Sequence, residues 1–258
     1  MRKICLLAIL TLCMTYSFVQ AQVDPNFHLY ILIGQSNMAG RGPITDEFKN
    51  DGNPRVFMLN KNLEWVTARN PLHFDKPKVA GVGPGLAFGI DMAKANPKVK
   101  IGLIPCAVGG TPIDHWKPNT FDKGTNTHPY DDALIRIKEA MKSGVIKGVI
   151  WHQGEANSSP KKAPLYLAQL DSLINRVRTE VGNPKLPFIV GELGRYRNNY
   201  QLINAELAKV PSTIPFTGLA TSEGLVHKGD TTHFDGASAN TLGHRFAAKM
   251  LEVQKKKK

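Results

Sequence analysis

The sequence predicts an α/β fold in which a mostly parallel sheet is covered by helices on both faces. Short apolar runs alternate along the chain with segments of helical periodicity, and this alternation is typical of successive βαβ units. The chain has 258 residues, of which 42% are hydrophobic and 21% are charged. That is enough to bury one sizeable core within the usual size of a single domain.

Six apolar runs are candidate strands, and they cover residues 28–33, 55–59, 99–107, 145–151, 187–191 and 216–220. Five segments have helical periodicity and are candidate helices, at residues 85–95, 130–142, 163–181, 199–210 and 237–253. In an open parallel sheet, ligands bind outside the carboxyl ends of the strands. We therefore expect the chemistry of this chain in the residues that follow its strands.

The first 21 residues predict a secretory signal peptide. A basic start precedes an apolar run at residues 4–19, and small or apolar residues occupy the cleavage positions before residue 22. A membrane anchor is the alternative, but the run is short for a span of about 20 apolar residues and is diluted by Thr11, Thr15 and Ser17. We expect one domain at residues 22–258, secreted or periplasmic, with no stable membrane insertion after cleavage.

Cleavage at that point removes Cys5 and Cys13 and leaves Cys106 as the single cysteine, so no internal disulfide is possible. Cys106 lies within the apolar run of residues 101–108. A buried free cysteine behaves as a small hydrophobe. We therefore predict a core position for Cys106 and do not consider it a nucleophile.

The formal net charge of +12 is concentrated at the chain ends. Two of the positive charges are Arg2 and Lys3, and four form the terminal lysine run at residues 255–258. The remaining sequence is mildly basic and carries no basic stripe interleaved with aromatic residues, which nucleic-acid binding typically requires. We expect no nucleic-acid partner, and the sequence leaves the oligomeric state open.

A serine flanked by glycines follows the first predicted strand, in the segment GQSNMAG at residues 34–40. If Ser36 begins a helix, its hydroxyl is exposed and its backbone N–H is free to bind an oxyanion. A lone serine at this place more often caps a helix. The residues at the other strand ends are therefore needed to distinguish a capping serine from a nucleophile.

Three further strand ends carry polar or glycine residues. The segment VGGT at residues 108–111 presents backbone N–H groups, and WHQGE at residues 151–155 presents an amide and a carboxylate. In DTTH at residues 230–233, the carboxylate can reach the imidazole Nδ1 and leave Nε2 free as a base. Together with Ser36, these groups fit acyl transfer through a nucleophile, a base, an orienting acid and oxyanion donors.

Metal-assisted hydrolysis is the competing chemistry, and its conceivable ligands are His152, Glu155, Asp230 and His233. None of these residues forms a pair with the helical spacing that zinc hydrolases use. We therefore expect neither a metal ion nor another cofactor.

The four segments resemble, in the same order, those of the SGNH hydrolase superfamily, in the branch of sialate O-acetylesterases and family 6 acetylxylan esterases. The resemblance covers nearly the whole mature chain and implies a flavodoxin-like three-layer α/β/α sandwich. It implies Ser36 as nucleophile, His233 as base and Asp230 as its partner. The oxyanion would be bound by the backbone N–H groups of Ser36 and Gly110 and by the amide of Gln153, which stands where the wider superfamily has an asparagine.

The resemblance leaves a second carboxylate open as the acid, because some members have been proposed to use a glutamate in the segment that contains Glu155. We favour Asp230. Asp235 is also close to His233 in sequence, but we expect it to cap the last helix.

The implied activity is that of a serine esterase that removes O-acetyl groups from carbohydrate. Acetylated xylan or a similar polysaccharide is the favoured substrate, and O-acetylated sialic acid is the alternative. The alternative from a different functional class is a protein that binds carbohydrate but has lost catalysis. Two predicted loops carry side chains that are suited to bind sugars: Asp114, His115 and Trp116 in the first, and Arg195, Tyr196 and Arg197 in the second. The two arginines could pair with the carboxylate of a sialic acid.

Overall fold

The computed structural model describes residues 23–256 as a seven-stranded sheet with helices on both faces. The strands are β1 (Asp24–Gly34), β2 (Val56–Leu59), β3 (Trp65–Thr67), β4 (Lys100–Pro105), β5 (Gly144–His152), β6 (Phe188–Gly191) and β7 (Thr217–Ala220). Their spatial order is β3-β2-β4-β1-β5-β6-β7, and all neighbours are parallel except β2 and β3. The predicted α/β class and mostly parallel sheet are confirmed. The predicted signal peptide lies outside the described residues.

Seven α-helices are present in the described part of the chain. They are α1 (Ser36–Ala39), α2 (Asp46–Lys49), α3 (Gly85–Ala95), α4 (Pro129–Met141), α5 (Tyr166–Val181), α6 (Tyr200–Thr213) and α7 (Gly236–Lys256). None of the helices in residues 23–256 combines the length and apolar character that a membrane crossing requires.

Local signals explain where three of these helices begin or end. Proline occupies the first position of α4, where its missing N–H has no intrahelical partner to lose. Gly182 ends α5 with a φ of 69°, the left-handed conformation that glycine adopts without steric cost. Asp235 caps α7 as predicted, because its Oδ1 accepts a hydrogen bond of 2.7 Å from the backbone N–H of Ser238.

The central strand β1 separates two apolar cores. Leu29, Ile31 and Ile33 pack with residues of α4, α5 and α6, whereas Tyr30 and Leu32 pack with residues of α3 and α7. Successive side chains of a strand point to opposite faces, so β1 has no polar face. Burial of each large apolar side chain contributes roughly 1.5–3 kcal/mol. These two cores hold β1 firmly and fix the position of the turn that follows it.

Strand β1 lies between β4 and β5. The chain places β2, β3 and β4 on one side of β1 and then reverses to place β5, β6 and β7 on the other side. Backbone hydrogen bonds continue the pairing past the strand ends: Val108 N–H donates to the Gly34 carbonyl at 3.0 Å, and Gln35 N–H donates to the His152 carbonyl at 2.9 Å. Such a reversal opens a crevice at the carboxyl ends of the strands. The segments predicted to carry chemistry after β1, β4 and β5 therefore meet at one place.

Candidate active site

A sharp turn links β1 to α1 and presents Ser36. Gly34 has a φ of 135°, and a Cβ on it would lie 2.1 Å from the His152 carbonyl oxygen. Only glycine allows the two strands to approach so closely in this conformation. Gln35 is extended and α1 begins at Ser36. Ser36 is therefore the first residue of the helix and not its cap.

Ser36, His233 and Asp230 form one chain of hydrogen bonds. The Ser36 Oγ lies 3.0 Å from His233 Nε2, and His233 Nδ1 lies 2.7 Å from Asp230 Oδ2. Asp230 Oδ1 accepts the backbone N–H groups of Thr232 at 2.9 Å and of His233 at 2.8 Å. Because an ionised carboxylate only accepts, the proton of a neutral imidazole is placed on Nδ1 and its Nε2 lone pair faces the serine.

The hydrogen bonds to Asp230 keep its carboxylate ionised. Partial burial acts to raise the pKa of Asp230, but hydrogen bonds from the His233 backbone and imidazole and from Thr232 outweigh burial and hold that pKa well below its usual range. The Asp230 carboxylate is therefore ionised and able to accept the imidazole Nδ1–H.

Glu155 contacts Asn37 and makes no hydrogen bond to His233 in the described structure. Its buried Oε1 accepts a 2.6 Å hydrogen bond from Asn37 Nδ2, which also donates to the Thr232 carbonyl at 3.0 Å. Asn37 Oδ1 accepts the Phe234 N–H at 3.1 Å. Asn37 thus holds the backbone on both sides of His233, and Glu155 holds Asn37. Sequence analysis assigned no role to Asn37, although its place directly after Ser36 was a usable signal.

The backbone N–H groups of Ser36 and Gly110 have no acceptor among the described residues. A Cβ on Gly109 would lie 3.4 Å from the Ser36 Cβ, which places the VGGT segment beside the serine. Gly110 has a φ of 94°, and a Cβ there would meet only Lys76 Nζ, at 3.9 Å. The space above Gly110 is therefore open to a ligand.

Gln153 lies below the site and is completely buried. Its Nε2 lies within hydrogen-bond distance of three acceptors: Asn157 Oδ1 at 2.8 Å, Gln35 Oε1 at 3.1 Å and the Thr111 carbonyl at 3.2 Å. An amide nitrogen carries two hydrogens, so both are engaged. The oxyanion role predicted for Gln153 stays a prediction, and it requires the amide to release one of these acceptors.

A buried ion pair braces the glycine segment. Arg41 Nη2 lies 2.6 Å from Asp75 Oδ2, and both side chains are 4% exposed. The same Asp75 oxygen accepts the Gly109 N–H at 2.8 Å. Burial acts to raise the pKa of Asp75, but the Arg41 guanidinium and the Gly109 N–H outweigh it and lower that pKa. Sequence analysis missed this pair, because no local pattern connects two residues that meet only after folding.

The loop residues predicted to suit sugars have different environments. Trp116 is fully buried, its Nε1 donates to Thr111 Oγ1 at 3.0 Å, and it packs edge-to-face on Trp151. The expectation that Trp116 contacts a sugar is therefore wrong, because folding places its indole in the core. His115 binds Asp122 at 2.7 Å, and Asp114 accepts the Asn157 amide at 3.1 Å.

The second predicted loop, at residues 195–197, lies beside Thr232 and His233. Tyr196 donates its hydroxyl to the Thr232 carbonyl at 3.1 Å. Arg195 is paired with Glu192 at 3.1 Å and lies 3.7 Å from Glu223. Arg197 is exposed, lies 3.2 Å from Thr232 Oγ1 and has no carboxylate partner in residues 23–256. It is therefore the cation of this loop that is free to meet an anionic group.

Two other side chains with reactive chemistry, those of Cys106 and His152, are buried. Cys106 is buried as predicted, and burial raises the pKa of its thiol to about 12. His152 is buried with its Nε2 3.1 Å from the Glu192 carbonyl, and burial lowers its pKa. No group of three or more His, Cys, Asp or Glu side chains that could hold a metal ion occurs in residues 23–256.

Comparison with known proteins gives the family. A family model described as "Carbohydrate esterase, sialic acid-specific acetylesterase" matches residues 26–252. An Arabidopsis thaliana protein named "Probable carbohydrate esterase At4g34215" is 35% identical over 190 residues, which cover 66% of this chain and 70% of the relative. The X-ray structure of that protein superposes with a TM-score of 0.77 at 30% identity, over 89% of this chain and 99% of its own.

A second solved structure shares the fold. XAC1771, a carbohydrate acetylesterase from Xanthomonas citri, matches with a TM-score of 0.70 at 22% identity, over 88% of this chain and 57% of its own. The resemblance to the sialate O-acetylesterase branch, stated above from four short segments, is confirmed by the family match. The chain belongs to the sialic acid-specific acetylesterase family of carbohydrate esterases, and it is a carboxylic ester hydrolase.

Proposed function

We propose that this chain is a serine esterase that removes O-acetyl groups from carbohydrate, with Ser36 as nucleophile, His233 as base and Asp230 as its orienting acid. The observation that carries the proposal is the chain of hydrogen bonds from Ser36 Oγ to His233 at 3.0 Å and from His233 to Asp230 at 2.7 Å. This arrangement is the one that converts a weakly nucleophilic hydroxyl into an attacking group.

The reaction has two steps. His233 Nε2 takes the hydroxyl proton while Ser36 Oγ attacks the acetyl carbonyl carbon, and the backbone N–H groups of Ser36 and Gly110 face the developing oxyanion. The tetrahedral intermediate collapses, the sugar oxygen leaves with the proton from His233, and the acetyl group stays on Ser36. Water then attacks this ester while His233 takes a proton from it, and the second tetrahedral intermediate collapses so that Ser36 Oγ leaves with that proton and acetate is released. Each oxyanion donor is worth roughly 10²- to 10³-fold in rate.

Acetylated xylan or a similar polysaccharide is the substrate class we favour. The predicted export of the chain, secreted or periplasmic, would bring the enzyme to such polymers. O-acetylated sialic acid is the second candidate, favoured by the family description and by one observation. Arg197 lies beside Thr232, next to the proposed base, and has no carboxylate partner in the described structure. A guanidinium there is suited to bind the carboxylate of a sialic acid.

The test compares acetate release from acetylated xylan, from O-acetylated sialic acid and from 4-nitrophenyl acetate. Ser36→Ala should abolish release from all three, and Ser172→Ala is the matched control because Ser172 is an exposed serine of α5. Turnover at the wild-type rate in Ser36→Ala would overturn the mechanism. Arg197→Ala adds the second comparison: a rise in KM confined to the sialic acid substrate would favour that alternative over xylan.

The alternative of a carbohydrate-binding protein without catalysis predicts binding of the glycan and no acetate in any of these assays. We do not favour it, because Ser36, His233 and Asp230 are all present and in hydrogen-bond contact.

A further inference from the structure

A cavity of about 240 Å³ adjoins the glycine segment at residues 108–111. The residues that line it include Phe74, Lys76, Val108, Thr127 and Asp132. Val108 directly precedes Gly109, whose position beside Ser36 is described above. Lys76 Nζ bounds the open space over Gly110, since it is the one atom that a Cβ on Gly110 would meet among the described residues. Lys76 therefore borders both the cavity and the open space over Gly110, beside which the acetyl group is proposed to react.

One wall of the cavity is the aromatic ring of Phe74, which contacts a buried cation. The Arg136 guanidinium lies 4.6 Å from the centroid of the Phe74 ring. Arg136 itself donates to the carbonyl oxygens of Leu59 at 2.6 Å and of Pro105 at 2.8 Å, so the cation cannot swing away without losing buried hydrogen bonds. Phe74 is half-buried and lines the cavity. A ligand there meets an apolar surface that needs no ordering on binding.

The rest of the lining combines apolar side chains with polar groups of both charges. Lys76 is exposed and has no carboxylate within 4 Å in residues 23–256, whereas Asp132 accepts only the His128 N–H, at 3.0 Å. The Thr125 hydroxyl donates to Asp122 Oδ1 at 2.9 Å and therefore accepts from the Thr127 hydroxyl at 2.8 Å, so the Thr127 oxygen can still accept a hydrogen bond from a ligand. An aromatic face combined with donors and acceptors of both charges fits a ring with one apolar face and several hydroxyl groups.

We propose that this cavity is a subsite that binds a neutral pyranose unit next to the acetylated sugar of an oligosaccharide. Pockets for drug-sized ligands occupy about 300–1,000 Å³, so a cavity below that range fits a single sugar ring. The proposal rests on the proposed function of the neighbouring serine. It deepens that function by making the substrate an oligosaccharide chain with a neutral unit beside the reacting one.

The kinetic test uses Phe74→Ala and compares acetylated xylo-oligosaccharides with 4-nitrophenyl acetate, which has no second sugar. Loss of an aromatic contact of this kind is worth about 1.4 kcal/mol, so the ratio of kcat/KM for the oligosaccharide to that for 4-nitrophenyl acetate should fall about tenfold, mainly through KM. Lys76→Ala, at an exposed position, should lower the same ratio if Phe74→Ala fails to fold. Phe121→Ala is the control, because Phe121 is an exposed aromatic outside the cavity, and it should leave the ratio unchanged.

A binding test separates this proposal from the proposed function. Unacetylated xylo-oligosaccharide is titrated into Ser36→Ala with and without Phe74→Ala, and the second substitution should weaken binding about tenfold. Equal binding by the two proteins would overturn the subsite, whatever the esterase assays show. Tighter binding of a sialoside than of the neutral oligosaccharide would overturn its assignment to a neutral sugar. Esterase activity in Ser36→Ala would overturn the proposed function and leave the binding comparison valid.

Discussion

Asp230→Asn tests which carboxylate orients His233. In the native protein one Asp230 oxygen accepts two backbone N–H groups and the other accepts the imidazole Nδ1–H at 2.7 Å. An asparagine keeps the first set of bonds through its carbonyl oxygen and turns its NH₂ toward Nδ1. The imidazole then carries its proton on Nε2, where it cannot take the proton of Ser36.

The expected loss is large for this change and small for the matched change at Glu155. A base held in the wrong tautomer lowers kcat by roughly 10³- to 10⁴-fold in triads of this kind. Glu155→Gln keeps an oxygen for Asn37 at the site of the present 2.6 Å contact and removes only the charge. The difference between a charged and a neutral hydrogen bond is about 1 kcal/mol, so kcat should fall by less than about tenfold.

The assay is the release of 4-nitrophenol from 4-nitrophenyl acetate, with kcat and KM measured separately and thermal unfolding recorded to show that both variants fold. KM should change little in either variant, because neither carboxylate faces the proposed acetyl site. A loss in Glu155→Gln that equals or exceeds the loss in Asp230→Asn would refute the assignment of Asp230 as the acid.

Three further predictions concern stability and reactivity. Asp75→Ala leaves Arg41 as a buried unpaired charge and should lower the free energy of unfolding by about 3–5 kcal/mol in urea denaturation; a loss below about 1 kcal/mol would mean that the ion pair does not brace the site. Burial lowers the pKa of His73 from 6.5 to about 4, so the unfolded chain binds a proton that the folded chain does not as the pH falls between these values. Stability should therefore decrease from pH 6.5 to pH 4, and His73→Gln should flatten this dependence; equal slopes for the two proteins would contradict the prediction. The Cys106 thiol, buried with its pKa raised to about 12, should resist iodoacetamide in the folded protein and react after unfolding, and rapid labelling of the folded protein would show that it is accessible.

The fold could be predicted from the sequence wherever an element is long enough to show its period. Helix α3 covers the residues predicted for it, and each of the six predicted strands exists with ends that differ by one or more residues. Strand β3 has three residues, and helices α1 and α2 have four each, which is too short for a period to be visible. These elements form because the tertiary structure around them provides the pairing and packing.

The position of the site followed from one topological rule, since reactive residues after parallel strands meet at one edge of the sheet. The identity of the acid could not be predicted by this rule. Asp230 contacts the imidazole and Glu155 contacts Asn37, and this difference arises only when the chain is folded. Trp116 illustrates the same limit. A tryptophan after a strand can lie on the rim or in the core, and the partner of its indole N–H, Thr111 Oγ1, is apparent only after folding.

Covalent labelling with a fluorophosphonate probe tests the central claim most directly, that Ser36 is an activated nucleophile. Peptide mass spectrometry of the labelled wild-type protein should place a single adduct on Ser36, with loss of acetate release in proportion to labelling. Ser36→Ala should neither react nor release acetate. An adduct on another residue, or hydrolysis that persists in Ser36→Ala, would contradict the mechanism proposed for this esterase.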